Sequence, residues 1–124
     1  MRYSLQTGLT DTIHSNANVQ SFSYELIHDL AMTPDGRFVA FAANFPGAST
    51  TNNAIYLWDS QTGSNTLVSV SLDNSTPDNG VCDSPAVSAN GQFVAFISSA
   101  ANLVTNSLPG FWHVYVLDLQ GGVT

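Results

Sequence analysis

Lysine is absent from this sequence, and the only Arg residues are Arg2 and Arg37. With nine acidic residues the formal net charge is -7 at neutral pH. A nucleic-acid-binding surface needs clustered Lys and Arg to neutralise phosphates, and docking to anionic lipid needs the same clusters. The composition therefore excludes nucleic acid and an anionic membrane surface as partners.

Long apolar runs and paired cysteines are also missing. No stretch reaches the roughly 18 consecutive apolar residues that a transmembrane helix requires, so we expect no membrane insertion. Residues 1–15 contain no apolar segment of a signal peptide. The single cysteine, Cys82, cannot form an internal disulfide and has no Cys-x-x-Cys neighbour, so we expect a small buried side chain.

Charged residues are scarce as well, at 9% of the chain, where about a quarter is usual. Ser, Thr and Asn supply the polar character instead and are spread over the whole length. A surface rich in these residues and free of lysine is typical of exported proteins. We therefore predict an exported protein, secreted or periplasmic.

What the sequence does contain is a repeat. Residues 31–41, AMTPDGRFVAF, align with residues 86–96, AVSANGQFVAF, 55 positions later. Residues 55–59 match residues 114–118 at a distance of 59, so the second unit carries a four-residue insertion. The QTG at residues 6–8 recurs at residues 61–63, and residues 118–122 begin the same turn again. A period of this size predicts a repeat architecture.

Each unit predicts four antiparallel strands, A to D. The turns Asp35-Gly36 and Asn90-Gly91 predict the A–B hairpins, because glycine adopts positive φ without steric cost. Strand B is apolar almost throughout, which predicts burial on both faces. No segment has helical periodicity. The predicted strands are 29–33 and 84–88 for A, 37–43 and 92–98 for B, 54–59 and 113–118 for C, and 65–71 and 10–15 for D.

Four such strands per unit are typical of a β-propeller blade. We therefore predict an all-β fold of two four-stranded antiparallel blades that belong to a larger ring. Residues 17–71 form the first blade, residues 72–124 the second blade without its strand D, and residues 1–16 strand D of an adjoining blade. The predicted core consists of repeated apolar positions: Phe38, Val39, Phe41, Tyr56, Leu57, Phe93, Val94, Phe96, Tyr115 and Val116, with Trp58 beside them.

Residues 83–96, DSPAVSANGQFVAF, resemble the TolB-like, WD-repeat-related β-propeller repeat of bacterial envelope and secreted proteins. That repeat has an Asp-Pro, a small residue, Ile or Val, Ser, a polar turn ending in Gly, and an aromatic-Val-Ala-Phe strand. Residues 102–104, 114–118 and 68–71 fit it too, whereas the first unit has Asp29 and Leu30 where the second has Ser84 and Pro85. The resemblance implies a propeller that serves as a binding platform, a scaffold or an accessory domain of a peptidase.

Two isolated blades leave two apolar faces in water, because the core of a propeller forms between stacked blades. The repeat phase places residue 1 near the end of a strand C and residue 124 where a strand D should begin. We therefore expect copies of the chain to pair head to tail into a closed homo-oligomeric ring. Resemblance to six-bladed propellers favours three copies, with four as the next choice. The alternative is that the blades come from a larger propeller that is an accessory domain of a secreted peptidase or lyase.

Four residues are candidates for a binding surface. Asp29 and Asp83 fall near the entry of the innermost strand, where the channel of a propeller opens. They either line that channel with carboxylates or act as turn and cap residues, and short acidic side chains favour the turn. Phe111 and Trp112 lie in the longer second B–C loop and are predicted to form an exposed contact for a protein or glycan ligand.

Catalytic motifs are not found. The chain has no Gly-x-Ser-x-Gly, and its histidines, at positions 14, 28 and 113, occupy different repeat positions and so are not clustered by repetition. We predict a protein that is not an enzyme and has no cofactor. Residues 73–80 are oxygen-rich as calcium sites are, but lack EF-hand spacing; a blade-to-blade loop is the first interpretation and Ca²⁺ the alternative.

Overall fold

The computed structural model of the chain describes residues 1–13, 30–44, 53–72, 80–105 and 111–121. Within these ranges the fold is all-β, as predicted, and no helix capable of crossing a membrane is found there. Every strand pair is antiparallel. The strands are β1 (Arg2–Tyr3), β2 (Thr10–Asp11), β3 (Leu30–Met32), β4 (Phe38–Asn44), β5 (Asn53–Asp59), β6 (Ser64–Leu67), β7 (Cys82–Val87), β8 (Phe93–Ser98) and β9 (His113–Asp118).

These strands form three sheets whose spatial order follows the chain. The N-terminal hairpin consists of β1 and β2, the first sheet has the order β3-β4-β5-β6, and the second sheet has the order β7-β8-β9. The first sheet therefore has the four strands expected of a unit and the second has three. The chain division after residues 16 and 71 stays a prediction, because residues 14–29 and 73–79 lie outside the described part of the chain.

The turn after the first strand of each sheet is built by the same hydrogen bonds. The Gly36 N–H donates to the carbonyl of Thr33 at 2.8 Å, and the Gly91 N–H donates to the carbonyl of Ser88 at 2.8 Å. Both glycines have positive φ, 71° and 73°, a region that side chains with a Cβ adopt only with strain. The repeated Asp-Gly and Asn-Gly pairs thus form equivalent turns, as predicted.

The fourth strand of the first sheet is shorter than the predicted 65–71. The Val68 and Ser69 N–H groups both donate to the Ile55 carbonyl, at 2.8 and 3.4 Å. The Ser69 hydroxyl in turn accepts the Ile55 N–H at 2.9 Å. Because one carbonyl takes two successive donors, the regular ladder stops and β6 ends at Leu67.

The first strand of the second sheet begins before the predicted Ser84, at Cys82. Its pairing with β8 shifts register between Asp83 and Ala86. Ser84 has a φ of 52°, and Pro85 has no N–H to donate to the ladder. An irregularity at this point bends the strand without ending it, as β-bulges do.

The core lies between the two large sheets, where one face of each packs on the other. Trp58 and Cys82 are buried, as predicted for both. The cluster between the sheets consists of Ala40, Ile55, Leu57 and Val68 from the first unit and Cys82, Val94, Phe96, Ala100, Leu103, Tyr115 and Leu117 from the second.

The prediction that all of these core positions are buried is wrong for two residues. Phe93 and Val116 are exposed, and β8 is therefore not buried on both faces. Both lie on the face of the second sheet that points away from the first, and no other described element covers that face. Phe38, Phe41 and Tyr56 are half-buried, whereas the remaining predicted core residues are buried.

Candidate binding surface

Equivalent faces of the two sheets have opposite exposure. In the first sheet Ile55 and Leu57 face the second sheet and are 0% and 4% exposed. Their repeat equivalents in the second sheet, Val114 and Val116, are 73% and 51% exposed. We use the term open face of the second sheet for Phe93, Ala95, Ile97, Val114 and Val116. Every member of the open face is apolar.

One contact between the two sheets is set by a glycine. A Cβ built on Gly91 would overlap the ring of Phe38, which comes from the first sheet. The ring therefore lies directly on the backbone of the second sheet's turn, and only glycine permits this approach. The Arg37 guanidinium stacks on the same ring, 4.5 Å from its centroid, within cation–π range.

The repeat equivalents of Gly91 and Phe38, Gly36 and Phe93, are present in the chain but do not contact each other. Gly36 occupies the equivalent position to Gly91, yet among the described residues no atom lies within 4 Å of a Cβ built on it. Phe93 is the equivalent of Phe38 and is 42% exposed. In the first sheet, no ring of the described residues lies against the Gly36 turn. In the second sheet, the Phe93 ring lies against no described glycine turn. Sequence reasoning identified both glycines as turn residues and missed the contact; the offset of 55 pairs Gly36 with Gly91 and Phe38 with Phe93, and does not show that a ring meets a glycine.

The outer face of the first sheet is only partly exposed and carries a groove beside the N-terminal hairpin. Val39, Ala43, Ala54 and Trp58 lie on this face by strand register and are buried. Leu30 and Met32 are exposed there. The Asn65 side chain holds the hairpin end by donating to the Ile13 carbonyl at 2.9 Å. The groove has a volume of about 660 Å³, and its apolar lining includes Met1, Tyr3, Leu30, Met32, Val39 and Phe41.

Of the two candidate aspartates, only Asp83 lies in the described residues; Asp29 lies outside them. Asp83 is buried. Its carboxylate accepts the backbone N–H of Ser84 at 2.7 Å, which is the local bond that a turn residue makes. A ring of carboxylates around a channel stays a prediction.

Phe111 and Trp112 are both exposed, immediately before β9. Exposure then alternates along the strand, so Trp112 is followed by the exposed Val114 and Val116 at every second position. The candidate aromatic contact therefore lies next to the open face of the second sheet, not on a separate surface.

Little else in the described residues suggests catalytic or metal chemistry. The His113 ring packs edge-on against Tyr115, with ring centroids 6.5 Å apart; His14 and His28 lie outside the described residues. Within the described ranges no three His, Cys, Asp or Glu side chains converge as a metal site. Of the possible calcium loop at 73–80, only Gly80 is described.

A polar pair closes the same corner of each sheet, and the two pairs differ in charge. Arg37 donates to Asp59 through two nitrogens, at 3.1 and 3.0 Å. In the second sheet Gln92 takes the place of the arginine and donates to Asp118 at 3.2 Å. These side-chain hydrogen bonds are the main reason why the pKa of each carboxyl lies below its ordinary value. Sequence analysis did not predict either pair.

Comparison with known proteins shows the fold. No family model and no curated protein sequence matches this chain. The crystal structure of TolB from Acinetobacter baumannii matches it with a TM-score of 0.55 and 20% sequence identity. The match covers 97% of this chain and 24% of the TolB chain, so this chain spans about a quarter of the length of TolB. The sheets therefore have a TolB-like, propeller-like arrangement.

Proposed function

We propose that this chain is a non-enzymatic β-propeller scaffold or binding module whose copies assemble head to tail into a closed ring. One observation carries the proposal: the open face of the second sheet repeats, position by position, a face that is buried in the first sheet. Val114 and Val116 stand where Ile55 and Leu57 are covered.

The energetics support covering this face. Fully burying a Val, Ile or Phe side chain contributes about 1.5–3 kcal/mol, and the open face offers several. The Asp118 carboxylate lies across from Phe93 on the same face. It accepts a hydrogen bond from Gln92, and a covering sheet would have to leave that bond in place, because an unpaired buried charge is costly. The net charge of -7 per chain opposes association at long range, and salt screens that repulsion.

Phe111 and Trp112 are the proposed contact for a protein or glycan ligand. Their exposure supports this role, since aromatic rings present a large rigid apolar area to a partner. Trp58 is buried, so collisional quenching by acrylamide reports mainly on Trp112. A glycan panel screened by protection of this fluorescence tests the role. If calorimetry then shows that a protecting ligand binds Trp112→Ala as tightly as the native chain, the role is contradicted.

Light scattering on the purified chain tests the assembly. The expected mass is three times that of one 13.2 kDa chain, or four times as the next choice, and it should persist on dilution below micromolar concentration. A folded monomer at all concentrations would overturn the proposal, as would a symmetric dimer. The same sample should hydrolyse no peptide or glycan substrate; turnover lost on changing one Ser, His or Asp would refute the non-enzymatic part.

The alternative function is that of blades within a larger propeller, accessory to a secreted peptidase or lyase. The observation that favours it is the coverage of TolB, of which this chain matches 24%. In that case the isolated chain should be monomeric and should bind a hydrophobic dye through its open face. A longer native polypeptide with a hydrolase or lyase region would then decide for the alternative.

A further inference from the structure

We propose that Phe93 of one copy docks on the Gly36 turn of the next copy, reproducing between chains the Phe38–Gly91 contact that exists within one chain. This inference rests on the ring assembly proposed above and names the residues that form its junction. The internal contact is the template, because it joins the same two repeat positions.

Both halves of the junction are ready in the single chain. The Phe93 ring is part of the open face and is accessible. Gly36 has the same backbone conformation as Gly91, with φ of 71° against 73°, and no atom of the described part of the chain lies within 4 Å of its Cβ position. A ring placed there would meet a turn of the same shape as the one that Phe38 meets.

The rest of the first sheet fits the same arrangement. Within the chain, β7 packs against β3, β4 and β5. The repeat equivalent of β7 is β3, so β3 of the next copy would cover β7, β8 and β9. Leu30 and Met32 of β3 are exposed in the single chain, and this contact would bury them against Val114 and Val116.

The N-terminal hairpin has to adjust when the junction forms. β1 repeats the end of β9, and it lines the groove in front of the first sheet. Two copies of one strand position cannot occupy one place, so β1 leaves this groove. β2, which pairs with β1 through Tyr3 and Thr10, is then available to pair with β9 of the neighbouring copy as its fourth strand.

A second copy of this chain is the occupant that the structure favours. A partner for the open face needs apolar side chains from a sheet and, at the ring position, a turn glycine whose Cβ position is empty. The outer face of the first sheet supplies both, through the exposed Leu30 and Met32 and through Gly36. Its arrangement matches the surface that already covers the equivalent face inside the chain.

A mixture of two variants, each with one added cysteine, tests the junction. Phe93→Cys and Gly36→Cys are prepared separately, checked for folding by near-ultraviolet circular dichroism, combined, and oxidised. We expect a disulfide-linked dimer in the mixture and little in either variant alone, because the junction brings position 93 of one copy to position 36 of another. The native Cys82 is buried and should not interfere. Linkage of Phe93→Cys to itself would overturn the inference.

Charge insertion gives an independent readout. Phe93→Asp places a carboxylate in the junction and should raise the dissociation constant of the ring by more than about tenfold. The control is Leu72→Asp, an apolar residue of similar exposure that belongs to no strand, which should leave the mass unchanged. If the native chain assembles but Phe93→Asp assembles equally well, the junction is wrong and the ring stands. If the native chain is monomeric, both the Phe93–Gly36 junction and the ring assembly are wrong.

Discussion

The two large sheets of this chain share their strand order, their turns and most of their apolar positions, yet they bury different parts of themselves. Ile55 and Leu57 lie in the core, and their equivalents Val114 and Val116 face solvent. The side chains at these positions are similar in size and hydrophobicity. Burial in a stacked repeat is therefore decided by whether a neighbouring sheet is present, more than by the identity of the residue.

The largest expected effect comes from comparing Phe96→Ala with Phe41→Ala. Both rings stack on the tyrosine across the strand pair with centroids 5.8 Å apart, Phe96 on Tyr115 and Phe41 on Tyr56. Phe96 is fully buried between the sheets and Phe41 only half-buried. Removing the Phe96 ring should cost about 3–5 kcal/mol of unfolding free energy, and removing Phe41 about 1–2 kcal/mol.

Urea unfolding in the Phe93→Asp background, at a concentration where light scattering shows a monomer, measures both values. An unchanged stability for Phe96→Ala would remove this residue from the core. Equal costs for the two variants would break the comparison in another way, since they would mean that the outer face of the first sheet is as well covered in solution as the inner face of the second.

The sequence was sufficient to predict which segments form strands and in what order. The reason is that the strand periodicity and the turn glycines are local signals, and two copies of each reinforce one another. β9 was predicted with its exact bounds. β6 was predicted too long because its end depends on the Ser69 hydroxyl reaching the backbone of Ile55, a contact that no local pattern encodes.

The open face was harder to predict for a physical reason. The repeat identifies Phe93 and Val116 as interface positions, and it carries no information on whether an isolated chain has the covering partner. The candidate residues also divide into those with a local signal and those without one. The exposure of Phe111 and Trp112 agrees with their position in a loop. Asp83 is buried beside the register shift of β7, which no local pattern encodes. The Phe38–Gly91 contact joins positions 53 residues apart and needs the packing of the sheets to be seen.

A smaller effect is expected from Gly91→Ala compared with Gly36→Ala. Both substitutions place a Cβ at positive φ, which costs about 1 kcal/mol at either site. Only Gly91→Ala also collides with the ring of Phe38 and forces the two sheets apart, so it should cost about 1–3 kcal/mol more. Thermal unfolding in the Phe93→Asp background, at a concentration where light scattering shows a monomer, measures the difference. In the assembled oligomer the difference between the two stability costs should narrow, because the Phe93 side chain of a neighbouring copy would then lie against Gly36. Equal costs of the two variants in the monomer would refute the Phe38–Gly91 contact.

The smallest effect distinguishes the charged corner of the first sheet from the neutral corner of the second. The pKa of Asp59 is lowered mainly by the hydrogen bond from Arg37, and the pKa of Asp118 mainly by the one from Gln92. A lowered pKa means that the ionised carboxylate stabilises the fold above its ordinary pKa of 3.8, and that this stabilisation is lost as the pH falls through the folded-state value. Asp59→Asn and Asp118→Asn should therefore both lower the urea midpoint at neutral pH, and both differences from the native chain should shrink towards pH 3.

Salt separates the two corners, since it screens an attraction between two charges. The deficit of Asp59→Asn should diminish in high salt and that of Asp118→Asn should not, while Arg37→Gln should make the first corner behave like the second. An equal salt response at the two corners would show that the charge on Arg37 contributes nothing that the glutamine does not.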